Sequence, residues 1–307
     1  MSDKNFKIAV VGIGAVGGYF GAKLAKAGQD VTFIGRENTV DYIKEHGIKV
    51  ISYQGDFEIK KPKVSHPFEA IRDADLVLFC VKSYSTRKVA EALKKRISDK
   101  AVIISVQNGV ENEKILAEIF GSDRVIGSVV YVSAAVSAPG VIKHTAYGKM
   151  VFGELTGEIT PRLREIEKLF LDSAIPVGVT DDINKTLWKK LILNIAYNGF
   201  TSVINNSLAK FPEVPLAQES FYDVMKEAQA VANEEGINIT DSDIDDLMKV
   251  TKSEGFTTFK TSTLQDMEAG KPLEIEDMNG IIIKLAQKHN IKVPMNKLLY
   301  SLLKLKN

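Results

Sequence analysis

The sequence predicts an α/β fold: a doubly wound, largely parallel N-terminal sheet followed by an all-α C-terminal domain. Three features carry that reading. A strand, a helix and a second strand succeed one another within residues 7–35, and apolar runs then alternate with helical patterns as far as about residue 180, as doubly wound sheets require. From Asp182 onward strand signals all but vanish and long helical patterns take over. The boundary is therefore drawn so that 1–181 forms a dinucleotide-binding domain and 182–307 a helical domain.

The elements follow in order. KIAVVG (7–12) is a short apolar run ending in glycine, the helical pattern from Ala15 stops at Gly28, and VTFIG (31–35) is the next strand. Further strands are expected at 48–52, 57–64, 75–81, 101–106, 124–136, 141–145, 149–154 and 175–180, with helices at 84–97, 111–120 and 161–173. In the second domain, helices are expected at 183–205, 214–235, 241–252, 257–269, 275–289 and 294–305. Gly236, Gly255, Gly270, Pro272 and Pro294 punctuate them.

Composition narrows the partners. With 45% hydrophobic and 26% charged residues the chain is ordinary globular material, and a net charge of +1 without a block of like charge gives no nucleic-acid footprint. A single cysteine, Cys80, lies inside DLVLFCV and reads as core filler. The four histidines are scattered, so no metal site is expected. MSDKNFK shows no signal-peptide pattern and no apolar run has membrane length, so a cytoplasmic protein acting on a small molecule is expected.

Gly12-Ile13-Gly14-Ala15-Val16-Gly17 matches G-x-G-x-x-G directly after the first strand and at the opening of the first helix. The first glycine permits the turn, the second lets backbone amides approach a pyrophosphate, and the third lets the helix pack on the strand. The helix N-terminus adds orphan N–H groups for the anion. The second strand ends Ile34-Gly35-Arg36, where NAD binders usually place an acidic residue. A guanidinium there suits a 2′-phosphate, so Arg36, aided by Asn38 or Thr39, predicts NADPH; a plain surface arginine is the alternative. Two more loops leave strand ends: Val81-Lys82-Ser83, which would bring Lys82 near the cofactor, and Gln107-Asn108-Gly109, which reads equally well as a simple turn.

LWKKLILNIAYNGF (187–200) is apolar enough for a core helix yet carries two lysines and two asparagines. With Lys190 at zero, about 100° per residue puts Asn194 near 40°, Asn198 near 80°, Thr201 near 20° and Asn205 near 60°. Lys189 falls on the other side, so the two lysines are not equivalent. A row of amides with a lysine and no acidic residue is unlike a solvated helix face, although a wet amphipathic face remains the simpler alternative.

Together these pieces resemble the ketopantoate reductase (2-dehydropantoate 2-reductase) family over nearly the whole chain. The matching stretches are GIGAVGG (12–18), IGR (34–36), VK (81–82), QNG (107–109), the PG-V-x-x-H-T region (139–145), W-x-K-L-x-x-N-x-x-x-N (188–198) and T-S-T-x-Q-D (261–266), followed by Glu274. The resemblance implies a Rossmann-type domain, then a helical domain of the 6-phosphogluconate dehydrogenase C-terminal type, an active site in the cleft between them, and a homodimer. It makes Lys190 the catalytic lysine, assigns Asn108, Asn194, Asn198 and Ser262 to substrate, and gives Glu274 and the Val132 backbone to the cofactor. One family asparagine falls at Leu208, so its contact is lost or passes to Asn205 or Asn206, and NGF (198–200) replaces the commoner Asn-Pro-Leu.

The implied reaction is NADPH-dependent reduction of 2-dehydropantoate to pantoate in pantothenate and coenzyme A biosynthesis, with Lys190 as general acid. An unperturbed lysine is a poor acid near neutrality, and desolvation on an apolar helix would correct that. His144 is the runner-up acid. A paralogous reductase of another 2-oxo acid is the alternative within enzymes. A non-catalytic NADPH sensor would need none of Lys190, Asn194, Ser262 and Glu274.

Overall fold

The computed structural model describes residues 6–66, 68–251, 257–258 and 260–306. The chain divides into two compact units, Met1–Ile183 and Asn184–Asn307.

The described residues of the first unit hold ten strands: β1 (Lys7–Val11), β2 (Asp30–Ile34), β3 (Ile48–Ser52), β4 (Phe57–Ile59), β5 (Lys63–Ser65), β6 (Leu76–Phe79), β7 (Val102–Ser105), β8 (Val125–Ala138), β9 (Val141–Glu154) and β10 (Val177–Val179). Its helices are α1 (Ala15–Lys26), α2 (Glu37–His46), α3 (Thr86–Lys94), α4 (Asn112–Phe120) and α5 (Pro161–Asp172). The strands lie in the order β4-β3-β9-β8-β7-β6-β1-β2-β5, with β10 on β9. From β1 the chain passes to β2 on one side, crosses to β3 and β4 beside β9 at the far edge, and comes back to β5 on β2; β6, β7 and β8 then follow in turn on the other side of β1. The pairings from β5 through β2 and β1 to β8 are parallel. Strand order reverses between β1 and β6, so their carboxyl ends open the crevice where such sheets bind ligands.

Alternation along β1 explains the double winding. Ile8 and Val10 join Tyr19, Phe20 and Leu24 of α1 and Leu163 and Phe170 of α5 in one core. Ala9 and Val11 point the other way, toward Ala90 and Leu93 of α3 and Leu116 and Phe120 of α4. A period of two thus places one helical layer on each face.

The first unit departs from the sequence expectation in three places. The expected strand 57–64 breaks into β4 and β5 around Lys60-Lys61-Pro62, where proline cannot donate to a ladder. The two expected strands 141–145 and 149–154 are one, β9, because bulges carry its antiparallel ladder with β8 past the irregularity near Tyr147. Between β2 and β3 lies the unforeseen α2, anchored by buried Val40 and Ile43 and closed by Gly47 at a φ of 76°.

The second unit is helical: α6 (Ile183–Ile204) leads into it, followed by α7 (Pro215–Glu234), α8 (Asp241–Thr251), α9 (Ser262–Glu268), α10 (Ile281–Lys288) and α11 (Pro294–Lys306). Its described residues contain no strand. The expected helix 257–269 shortens to α9, with Thr257 and Thr258 in a turn; expected positions 252, 255 and 259 fall outside the described residues. The pattern at 275–289 splits into a π turn over Glu276–Gly280, non-helical at Met278, and α10. Asn279 in that turn donates to Asn296 of α11 at 3.0 Å, and Asn296 donates in turn to Glu227 of α7 at 2.8 Å. Among the described residues no helix is long and apolar enough to cross a membrane.

One buried carboxyl stands out. Glu113 in the first turn of α4 is 3% exposed, neither of its oxygens has a well-formed hydrogen bond among the described residues, and the Cβ position of Gly127 lies 3.6 Å from its Cγ. Desolvation pushes its pKa up to about 7, against a weaker opposing pull from Ser105. Because the folded pKa lies above the ordinary 4.5, the native state holds this proton more tightly than the unfolded chain. Stability from this group is therefore full below about pH 4.5 and is lost as pH rises to about 7, a loss on the order of 3 kcal/mol. Glu113→Gln should melt near wild type at pH 5 and clearly above it at pH 8; parallel melting curves across that range would show that Glu113 ionises freely.

Candidate active site

The glycine loop is shaped by close approaches on one side and open space on the other. Gly12 turns the chain at a φ of 106°, and a Cβ there would lie 2.9 Å from the Cys80 carbonyl carbon. Its N–H donates to the Ile34 carbonyl at 2.9 Å. A Cβ at Gly17 would meet the Gly12 carbonyl oxygen at 2.2 Å, so α1 packs against its strand only through a glycine. Gly14 is the reverse: it is exposed, and nothing lies within 4 Å of where a Cβ would stand. It caps α1 with no side-chain hydrogen bond, leaving the helix N-terminus to an anion. Ile13 packs under Gly35, while Ala15 and Val16 are half-buried as α1 opens. These features fit a dinucleotide diphosphate.

Arg36 is exposed just past the end of β2 and forms the N-cap of α2 in extended conformation. Asn38 and Thr39 lie in that helix's first turn. Lys82 is half-buried and caps the short 3-10 turn Ser83–Ser85 after β6. Asn108, half-buried after β7, precedes Gly109 at a φ of 103°, and its carbonyl accepts from the Ser83 hydroxyl at 3.0 Å. The two loops are therefore joined. Val132 sits at a bulge of β8, where the register shifts between Tyr131 and Val132. Cys80 packs on the core beneath the glycine loop, and burial pushes its thiol well up.

His144 is 1% exposed on β9. One ring nitrogen meets the Ser52 hydroxyl at 2.9 Å and the other the Ala146 carbonyl at 3.1 Å, and the ring lies 4.2 Å from that of Tyr19. Burial lowers its pKa. Its partners are those of a structural histidine.

On α6 the two lysines separate as the helical angles require. Lys189 and Lys185 bind the two oxygens of Asp243 on α8 at 2.9 and 2.8 Å. Burial alone would raise the Asp243 carboxyl, but the two ammonium groups and Thr240 hold it well below the usual range. Lys190 instead is half-buried along a helix whose Trp188, Leu191, Ile192 and Ile195 are core residues. Loss of surrounding water lowers its pKa to about 8. Farther along the same face, Asn194 is half-buried and Asn198 is buried.

Part of the polar stripe is met by α9. The Asn198 carboxamide oxygen accepts from the Thr263 N–H at 3.4 Å, and the Thr201 hydroxyl meets that of Thr261, the cap of α9, at 2.8 Å. Ser262, exposed at the first position of α9, lies between these two anchors in the chain. The sequence reading missed Thr261, although a Thr-Ser-Thr run opening a helix is a capping signal. Glu274 is half-buried just ahead of the π turn.

The helical angle given to Asn205 needs correction. Helix α6 ends at Ile204; Asn205 takes a φ of 53°, and the Asn206 N–H returns to the Thr201 carbonyl at 3.1 Å. That is a C-terminal capping turn. Asn205 and Asn206 are exposed and Leu208 is buried. The NGF variation is explained by packing: Gly199 makes room for Leu299 of α11, and Phe200 stacks edge-on with Phe221 of α7.

Residues 8–157 match the family model of ketopantoate reductase PanE/ApbA, and residues 182–307 match that of its C-terminal part. The chain belongs to the ketopantoate reductase family. A 2-dehydropantoate 2-reductase of Pyrococcus abyssi is 33% identical over 300 residues, spanning 97% of each chain. The PanE/ApbA family ketopantoate reductase of Ralstonia eutropha JMP134 superposes with a TM-score of 0.89 at 33% identity, covering 97% of each chain. The 2-dehydropantoate 2-reductase of Geobacter metallireducens GS-15 gives 0.90 at 31%, covering 98% of this chain and 99% of that one. This chain is thus an oxidoreductase of the ketopantoate reductase family, with a Rossmann-type N-terminal sheet and a helical C-terminal domain.

Within that family, the cap at Asn205 has a measurable signature. Asn205→Gly should keep the melting temperature and the KM for the oxo acid, whereas Asn205→Ala should lose about 1 kcal/mol of stability. A large rise in KM with Asn205→Gly at unchanged melting temperature would place the amide on the substrate instead.

Proposed function

We propose that this chain reduces 2-dehydropantoate to pantoate with NADPH, in the synthesis of pantothenate and coenzyme A. The observation that carries the reading is Lys190: a half-buried lysine with its pKa lowered to about 8, in line with Asn194 and Asn198, on a helix whose Trp188, Leu191, Ile192 and Ile195 are buried. Asn198 on this face is met by Thr263 of α9, and the half-buried lysine in line with it suits a polar, negatively charged ligand.

The roles follow from the chemistry of each group. Gly12, Gly14 and Gly17 leave the N-terminus of α1 bare for the cofactor diphosphate, and Arg36 offers a guanidinium to the 2′-phosphate that distinguishes NADPH from NADH. Lys82, the Val132 backbone and Glu274 complete the cofactor contacts. When bound, the reduced nicotinamide supplies a hydride to C2 of the oxo acid. Charge then grows on the C2 oxygen, and Lys190 transfers a proton from Nζ to that atom, leaving a neutral amine and a 2-hydroxy acid. A pKa of about 8 keeps Lys190 mostly protonated at neutrality and makes it a far better acid than an ordinary lysine. Asn194 and Asn198 orient the ammonium and the substrate, Ser262 binds the carboxylate, and Asn108 binds the hydroxyl end.

A second reading, reduction of a different bulky 2-oxo acid by the same machinery, draws on α6 carrying no asparagine after Asn198: Asn205 caps the helix and Leu208 is buried. NADPH oxidation measured against 2-dehydropantoate and a panel of 2-oxo acids separates the two, and no turnover with any of them would leave only a dinucleotide-binding role.

Two further outcomes are expected. Lys190→Ala should lower kcat by about 10²–10⁴-fold with NADPH affinity little changed, and wild-type kcat/KM for reduction should fall as pH rises through about 8, where the donor loses its proton. Near-normal turnover by the variant would dismiss Lys190 as the acid. Arg36→Ala should weaken NADPH about tenfold while sparing NADH; equal effects on both would dismiss the 2′-phosphate contact.

A further inference from the structure

Below the two loops that carry Lys82 and Asn108 runs a buried chain of side-chain hydrogen bonds. The loops follow β6 and β7, which pair in parallel from Leu76 and Val102 to Phe79 and Ser105, so both leave the same edge of the sheet. Thr86, the first residue of α3, is 0% exposed between them. Its hydroxyl accepts from Gln107 Nε2 at 2.8 Å and donates to Asn112 Oδ1 at 2.8 Å. Gln107 Nε2 also donates to the Val81 carbonyl at 2.9 Å. Asn112 Nδ2 donates to the Asn108 carbonyl at 2.7 Å and to the Ser83 hydroxyl at 3.3 Å.

The direction of each proton from Gln107 through Thr86 to Asn112 is forced. Both ends are backbone carbonyls, which only accept, so Gln107 and Asn112 must each present a nitrogen to them. Asn112 then turns its oxygen toward Thr86, and the single hydroxyl proton there must point at it. Reversing the Asn112 amide would set an oxygen against the Asn108 carbonyl at 2.7 Å. The arrangement also leaves Gln107 Oε1 buried without a partner among the described residues. An unpaired buried oxygen is unfavourable, and such a concession is characteristic of functional sites.

The geometry points to Thr86 as a positioning residue: its hydroxyl locks the Lys82 and Asn108 loops into one preset arrangement, so that ligand binding need not order them. It contacts no ligand itself and acts through Gln107 and Asn112. This inference rests on the reading of Lys82 and Asn108 as ligand contacts. Preorganisation of this kind appears in binding constants rather than in the chemical step.

The test compares Thr86→Val, which keeps the shape and removes the hydroxyl, with Thr86→Ser, which restores it. NADPH affinity by fluorescence titration, steady-state kinetics and melting temperature are measured for each. Thr86→Val should weaken NADPH and raise the oxo-acid KM about tenfold or more, with kcat changed much less, and Thr86→Ser should return both values to near wild type. Ser83→Ala, which removes one donor to the Asn108 carbonyl and leaves the core intact, should show a smaller shift of the same kind and covers the case in which Thr86→Val does not fold. Unchanged affinity and KM in a folded Thr86→Val, or in Ser83→Ala where Thr86→Val fails to fold, would overturn the inference alone. No NADPH binding by the wild-type protein would overturn the cofactor reading and this inference with it.

Discussion

The structure turns on the partial dehydration of one ammonium group. Helix α6 is a core helix with Trp188, Leu191, Ile192, Ile195 and Ala196 buried, and it nevertheless keeps Lys190 in the same packed surroundings. Removing water from a lysine disfavours its charged form and lowers its pKa, here to about 8. The same burial that builds the core therefore lowers the pKa of this ammonium. Lys189, one residue away, meets Asp243 and keeps an ordinary structural role. The ion pair fixes one side of α6 while the desolvated lysine occupies the other, and the difference arises from about 100° of helical rotation.

The polar stripe and the glycine loop solve the same problem in different ways. Each carries polar groups without losing its packing. At the loop, Gly12 and Gly17 allow backbone to approach backbone, and Gly14 leaves open space. On α6, Asn198 and Thr201 are partly satisfied by the N-terminus of α9, so the stripe does not stand as a row of buried unpaired amides. Beneath the first unit's loops, Gln107 and Asn112, joined through Thr86, do for backbone carbonyls what α9 does for the stripe. Polar groups near these sites are held by other polar groups that never need to touch a ligand.

Local periodicity was enough to read most of the fold, because β1, α1 and the helices of the second unit are amphipathic or apolar along their length. It failed where pairing is long-range or anchors are few. Helix α2 has only Val40 and Ile43 buried in ten residues, too sparse a pattern to register. The segment around Tyr147 and Gly148 resembles a turn because both residues take positive φ, yet β8 bulges opposite it and the ladder continues. The stripe from Lys190 to Thr201 was legible as angles on a helix; its end was not, since that depended on Asn205 adopting a left-handed conformation. An asparagine after an apolar helix is a recognised stop signal, so that boundary was available to a closer reading. The chain through Thr86, Gln107 and Asn112 was not, because its members meet only when β6 and β7 pair.

The lysine side chain can be observed directly. Titration of Lys190 in isotopically labelled protein, followed by NMR at its Cε and Nζ and assigned by comparison with Lys190→Arg, should show a midpoint near 8. A midpoint at the ordinary 10.5 would mean that the ammonium is fully hydrated, and the link between core packing on α6 and acid strength at Lys190 would fall.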